Sequence, residues 1–241
     1  MKRKLLLLGF MLFACIAFAQ KSNTAYDFPV KPGSEKWQSF KSVDDMYTAC
    51  QVPADVLSNL STAALIQTCL RYPASSILMI HATPQMSFNE WKQHFNGIAA
   101  LLTRKDAPAQ LLAFYKTVDV KGYRQFRTEI EKGGYTFLLM MIDAIIVQDE
   151  IVGKMDAAQK KQLLAITLSN YDLISTDNLY GFINHASTGR IILKLAEALG
   201  DEATRSMISS KSIQQFVATG AVADQEAFSE AINKARSIAG K

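Results

Sequence analysis

The stretch Ser87-Phe88-Asn89-Glu90-Trp91-Lys92-Gln93-His94-Phe95-Asn96-Gly97-Ile98-Ala99-Ala100-Leu101-Leu102 sets the reading of the fold. Phe88, Trp91, Phe95, Ile98 and Leu102 recur at steps of three, four, three and four, which puts them on one face of a helix. Ser87 followed three positions later by Glu90 has the form of a capping box, so the pattern predicts one long helix running through Leu102.

The same periodicity extends in both directions. Downstream, Asp106 and Pro108 open a helix carrying Leu111, Leu112 and Tyr115. A mixed-charge helix is expected near 122–131, with Gly133-Gly134 separating it from an apolar helix over 136–148. Leu164, Leu168 and Tyr171 form another stripe. Ile192, Leu195 and Leu199 form a third, closed by Gly200, and Phe228, Ile232 and Ala235 form the last. Upstream, Ser42 and Asp45 make a second capping box and Pro53 starts a short helix. Ser61 or Thr62 caps the helix of Leu65, Cys69 and Leu70, which Tyr72-Pro73 stops. All six prolines lie at or before residue 108. Alternating strand patterns are confined to pieces such as Val118-Asp119-Val120 and Ile151-Val152-Gly153. The expected fold is all-α: stacked antiparallel helix pairs in an irregular bundle or a short α-solenoid, although no repeat period aligns cleanly.

The N-terminus reads differently. Lys2-Arg3-Lys4 is followed by the apolar run Leu5 to Ala19, and Ala17-Phe18-Ala19 supplies the small residues of a signal-peptidase site. Cleavage is expected after Ala19. A lipobox outline at Leu12-Phe13-Ala14-Cys15 is the less favoured alternative, because Phe13 is bulky and the residues after Cys15 stay apolar. Residues 20–41, with Pro29, Pro32 and Gly33, read as a flexible arm. The expected organisation is therefore a signal peptide (1–19), an arm (20–41) and a single helical domain (42–241), exported to the periplasm or the cell exterior.

Composition agrees with a folded domain: 241 residues, 49% apolar and 20% charged. The net charge of +4 owes most of its excess to Lys2, Arg3 and Lys4; the remaining basic residues nearly balance the 22 acidic ones. No electrostatic case for nucleic acid remains. No segment after the signal is long and apolar enough to span a bilayer, since a helix needs roughly 20 such residues. Two cysteines, Cys50 and Cys69, remain after cleavage. In an oxidising compartment they fit one disulfide closing a short loop, worth about 3 kcal/mol. Two buried reduced thiols packed as small hydrophobes are the alternative.

The nucleophile-elbow, P-loop, zincin, EF-hand and dinucleotide motifs are all missing from the sequence. Glu90 and His94 share a helix face, but with three histidines in the chain no metal site or cofactor is expected. Asp143 is the most informative residue, because it interrupts the apolar run Phe137 to Val147, where an unpaired carboxylate is costly. Either it occupies the helix's narrow solvent edge or it pairs with a cation or hydroxyl inside, with Arg190, beside another apolar run, as a candidate partner. His185 lies in Asn184-His185-Ala186-Ser187-Thr188-Gly189-Arg190, which suits either a hydrogen-bonding loop at a helix start or an ordinary cap by Ser187 or Thr188. Lys121, Arg124 and Arg127 make a small basic stripe offset by Glu129 and Glu131.

Several blocks of the N-terminal third form a pattern. They are Phe40-Lys41-Ser42, Met46, Ala49-Cys50-Gln51-Val52-Pro53, Leu57 to Thr62, Thr68-Cys69-Leu70-Arg71-Tyr72-Pro73, Phe95-Asn96-Gly97 and Leu101 to Ala107. Together they resemble an uncharacterised family of exported, helical bacterial proteins, over residues 37–107 and more loosely to about 200. Leu60 stands where the family has methionine. The resemblance implies that both cysteines belong to a shared pattern, which favours the bridge, and it carries no activity or ligand.

Three functions follow from this reading. The first is a non-catalytic exported protein that binds an envelope or extracellular protein. The second is a small-ligand or glycan-binding protein with Trp37, Tyr180 or Phe182 as platforms. The third is a hydrolase or lyase with a site near Asp143, His185 and Arg190. A concave pocket, exposed aromatics along a groove and a flat apolar patch would distinguish them.

Overall fold

A computed structural model describes residues 21–239 except Asp201 and Ser209. The expected signal, with Cys15 and the site after Ala19, lies outside the described residues. Among those residues there is no β-strand, and the all-α expectation holds. No described helix is long and apolar enough to cross a membrane.

In the N-terminal half the helices are α1 (Glu35–Gln38), α2 (Val43–Ala49), α3 (Ala54–Asn59), α4 (Thr62–Leu70), α5 (Pro84–His94), α6 (Asn96–Thr103) and α7 (Ala107–Tyr115). The C-terminal half has α8 (Glu129–Ile146), α9 (Asp149–Val152), α10 (Ala157–Ser175), α11 (Phe182–Leu199), α12 (Glu202–Ile208), α13 (Lys211–Thr219) and α14 (Gln225–Ala239). One contiguous core runs from Phe28 to Ile238. In the first half α4 is central, packing on α6, α7 and α8; in the second, α11 touches α8, α10, α12, α13 and α14. Gly189 allows α14 its close approach, because a Cβ there would sit 2.5 Å from Cζ of Phe228.

The long helix expected through residue 102 is two. Its stripe is buried as expected, with Phe88, Trp91, Phe95, Ile98 and Leu102 all in the core. The backbone nevertheless turns extended at Phe95 (φ −132°, ψ 113°). The break is stabilised from the 47–52 segment: Gln51 Nε2 donates to the carbonyl oxygens of His94 and Tyr47, and Gln51 Oε1 accepts from the Asn96 N–H. Asn96 returns both kinds of bond to the backbone of Val52, at 3.1 and 2.7 Å. The cap of α5 is Thr83, not Ser87. Its hydroxyl accepts from the Met86 N–H with Pro84 in the first turn, whereas Ser87 is buried within the helix.

Two other boundaries differ. Gly133 and Gly134 lie inside α8, whose N-terminus is set by a Thr128–Glu131 capping box; in place of the mixed-charge helix expected near 122–131 there is a short 3-10 turn over Gly122–Gln125 before α8 begins. The polar stretch 184–190 is the interior of α11, which starts after Gly181, so neither Ser187 nor Thr188 is a cap.

Residues 21–41 are not a free arm. The Ser22 N–H donates to Asn59 O and the Ser61 N–H to Ser22 O, so the segment pairs with the α3–α4 junction. The Tyr26 N–H donates to Thr68 Oγ1 at 2.9 Å. Phe28 is 3% exposed, in an aromatic cluster with Tyr26, Tyr72 and Phe95. Full burial of such a ring stabilises by about 1.5–3 kcal/mol, which offsets the cost of ordering the chain around it.

The expected disulfide is not formed in this structure: Cys50 and Cys69 are free and buried. Cys50 ends α2 and Cys69 sits in α4, each packed as a small hydrophobe in the core. Burial pushes the Cys50 thiol up to about 11 and that of Cys69 further. Neither supplies the thiolate that disulfide exchange requires.

Candidate functional site

Where the two halves meet, α5 packs on α8 and α13, and α11 packs on α8. A cavity of about 280 Å³ opens there, bounded by residues 78–87, α8, the first half of α11 and the turn Gly220–Val222. A cavity of about 150 Å³ lined by aliphatic and aromatic side chains can hold benzene, so this one has room for a ring with a tail or a short alkyl chain. Its walls are largely apolar: Leu78 and Met79 on one side, Met140 and Val147 from α8, Phe182 and Ile183 from α11. Met79, Phe182 and Ile183 are 54%, 45% and 53% exposed, so they also form a rim open to solvent.

The turn closing the cavity depends on Gly220. Its φ of +78° is the left-handed conformation that ends α13, and a Cβ there would meet Pro84 at 2.9 Å. Glycine satisfies both demands.

Asp143 borders this cavity and a small neighbouring cleft lined by Tyr115, Asn170 and Thr188, and is 4% exposed. Tyr115 donates to Oδ1 at 2.9 Å and Thr188 to Oδ2 at 2.8 Å. Burial pushes the carboxyl up to about 7, opposed by hydrogen bonds from Thr188, Tyr115 and Ser187. The sequence expectation of a cation or hydroxyl partner resolves to hydroxyls.

Arg190 also borders the cavity but does not pair with Asp143. Its Nε donates to Val217 O and its Nη2 to Ala218 O and Gln85 Oε1. These carbonyls belong to the last turn of α13, where a cation is favoured by the helix dipole. Burial lowers Arg190 to about 10, which leaves it charged at neutral pH. Gln85 bonds in turn to Gln148 of the α8–α9 connection, so one guanidinium ties α11, α13 and α5 together and reaches toward α8.

His185 is elsewhere. Its Nε2 lies 3.2 Å from Ile174 O and its ring beside Tyr171, so the grouping Asp143, His185 and Arg190 does not assemble. The histidine on the cavity wall is His81, whose Nε2 is buried without a hydrogen-bond partner. Nothing in the sequence signals this; only the fold brings residue 81 to α8. Of the aromatic platforms, Tyr180 is buried with its hydroxyl on Val120 O, Trp37 packs against Phe40, and Phe182 alone reaches the rim. Glu90 Oε1 and His94 Nε2 lie 3.2 Å apart, with His94 stacked on Tyr47. Among the described residues no three metal-ligating side chains gather. Arg124 of the basic stripe pairs with Asp177 at 3.7 Å.

Comparison with protein-family models, curated proteins and solved structures gives no match.

Proposed function

We propose that this chain is an exported, non-catalytic binding protein that holds a small, predominantly apolar molecule in the cavity between α5, α8 and α11. The observation that carries the reading is an open apolar cavity with one buried carboxyl in its lining and an exposed rim of Met79, Phe182 and Ile183. Pockets of this make-up, mostly apolar with few polar groups, are the usual form of small-molecule sites. The alternative of a hydrolase near Asp143, His185 and Arg190 loses support because His185 stands apart from the cavity that the other two border. Both carboxylate oxygens of Asp143 already accept hydroxyl donors.

A protein partner remains the second reading, and one observation favours it. Ile80, 63% exposed, directly follows Met79 of the rim, and Met86 a few residues on is 50% exposed, so the segment carries further exposed apolar side chains. Methionine-rich apolar surfaces adapt to varied partners.

The test is native mass spectrometry and dye displacement on residues 20–241, alongside Ala144→Phe. Ala144 lines the cavity, so the added ring fills it. The expected result is dye displaced by alkyl compounds from the parent chain, with affinity falling by at least about tenfold in the variant. Equal dye binding by a folded Ala144→Phe protein would place the apolar site elsewhere.

A further inference from the structure

Resting on the cavity reading above, we infer that the cavity selects a ligand with a protonated amine head, and that Asp143 is the residue that pairs with it. Asp143 is a buried carboxyl on a cavity wall whose hydrogen bonds come from neutral hydroxyls, those of Tyr115, Thr188 and Ser187. A carboxylate has room for about four hydrogen bonds, so the two oxygens keep acceptor capacity. Burying a carboxylate is costly unless an opposite charge meets it.

The groups packed around it supply none. From α7 comes Tyr115, held protonated by burial and by Asp143 itself, with Thr167 and Asn170 of α10 beside it. From α11 come Ser187 and Thr188 and, farther along the helix, Arg190, whose Nε and Nη2 are committed to Val217, Ala218 and Gln85. The segment before α5 contributes His81 and Ser87, the turn after α13 contributes Gly220 to Val222, and α8 adds only apolar neighbours. A cationic head entering with its apolar chain along Met140 and Val147 completes an ion pair that the protein leaves half-built. An anionic head would meet a like charge there.

The test is calorimetric titration of residues 20–241 at pH 8 with octylamine, octan-1-ol and octanoate, each below its micelle concentration, repeated on Asp143→Asn and His81→Gln. The three share one chain, so they differ only in what reads the head. Octylamine is expected to bind about tenfold or more tighter than octanol, with octanoate weakest. That preference should collapse to within about twofold in Asp143→Asn and persist in His81→Gln. Octanol or octanoate binding as tightly as octylamine to the parent chain would overturn the inference while leaving the cavity reading intact. So would an amine preference retained by Asp143→Asn; an octanoate preference would assign the head to Arg190. The comparison on the parent chain decides the matter even if Asp143→Asn misfolds. Binding of none of the three would overturn inference and cavity reading together.

Discussion

Asp143 was legible in the sequence as an anomaly, a carboxylate within Phe137 to Val147, but its partners were not. Tyr115 lies 28 residues before it and Thr188 45 after, and no local pattern links positions so far apart. Its titration carries a signed consequence for stability. The folded carboxyl binds its proton up to about pH 7, whereas in the unfolded chain it releases it near the ordinary aspartate value. Between those limits the native state holds more protons, so stability is greatest at the acid end, declines as pH rises to about 7 and is flat beyond. The loss amounts to about 4 kcal/mol at about 1.4 kcal/mol per pKa unit. Asp143→Asn keeps the shape without the charge. Thermal melts at pH 5 and pH 8 should therefore show the variant gaining on the parent chain at the higher pH. A difference between the two proteins that does not change with pH would mean that Asp143 is ionised and comfortable throughout.

At the scale of elements, burial stripes were read correctly and boundaries only in part: the Ser42–Asp45 box, the Ser61 cap and the stop at Gly200 stand where expected, and the starts of α5 and α8 do not. The stripe from Phe88 to Leu102 crosses the α5–α6 break because both pieces bury the same face; periodicity reports the face, not the hydrogen bonds between. The break is written in polar residues, Gln51 from the segment after α2 and Asn96 at the start of α6. Arg104 donates to the carbonyl oxygens of Leu60 and Leu57, and Thr62 donates to Asp106. These bonds join α3, α4 and α6, and none of the residues that make them lines the cavity. Conversely, Gly133-Gly134 suggested a break where the helix continues, since the Thr128–Glu131 box had already begun α8 and both glycines lie exposed on it. Removing the joint should cost measurable stability. Asn96→Ala strips both backbone groups of buried Val52 of their partner, and each unsatisfied buried group costs about 1–3 kcal/mol. Urea unfolding should show a loss of about 2–4 kcal/mol without a change in helix content. A loss under about 0.5 kcal/mol would mean that the α5–α6 break is held by side-chain packing alone.

For the whole molecule, composition and helical periodicity were enough to indicate an all-α fold, because they sum over many positions. The docking of residues 21–34 and the site at the joint were not readable, because each depends on a few contacts distant in sequence. Tyr26 and Phe28 sit in a Pro- and Gly-rich stretch that reads as a linker, yet the segment closes the core over Tyr72 and Phe95. Arg190 does the corresponding work at the other end of the joint. A buried guanidinium bonded to two carbonyls of α13 and to Gln85 of α5 fixes the C-terminal helices against the N-terminal half, and with them the Gly220–Val222 wall of the cavity. Its role is therefore regional. Arg190→Met keeps the apolar stem and removes all three bonds, so α13 and the following turn should open more often while α4 and α7 remain protected. Hydrogen exchange of the amides in residues 211–222 should accelerate by at least about tenfold, since charged hydrogen bonds contribute about 1.5–3 kcal/mol. Exchange rising equally in α4 and α7 would instead make Arg190 part of the global folding unit. In that case cavity formation and folding would be one event, and ligand affinity could not be tuned at this residue without cost to the whole chain.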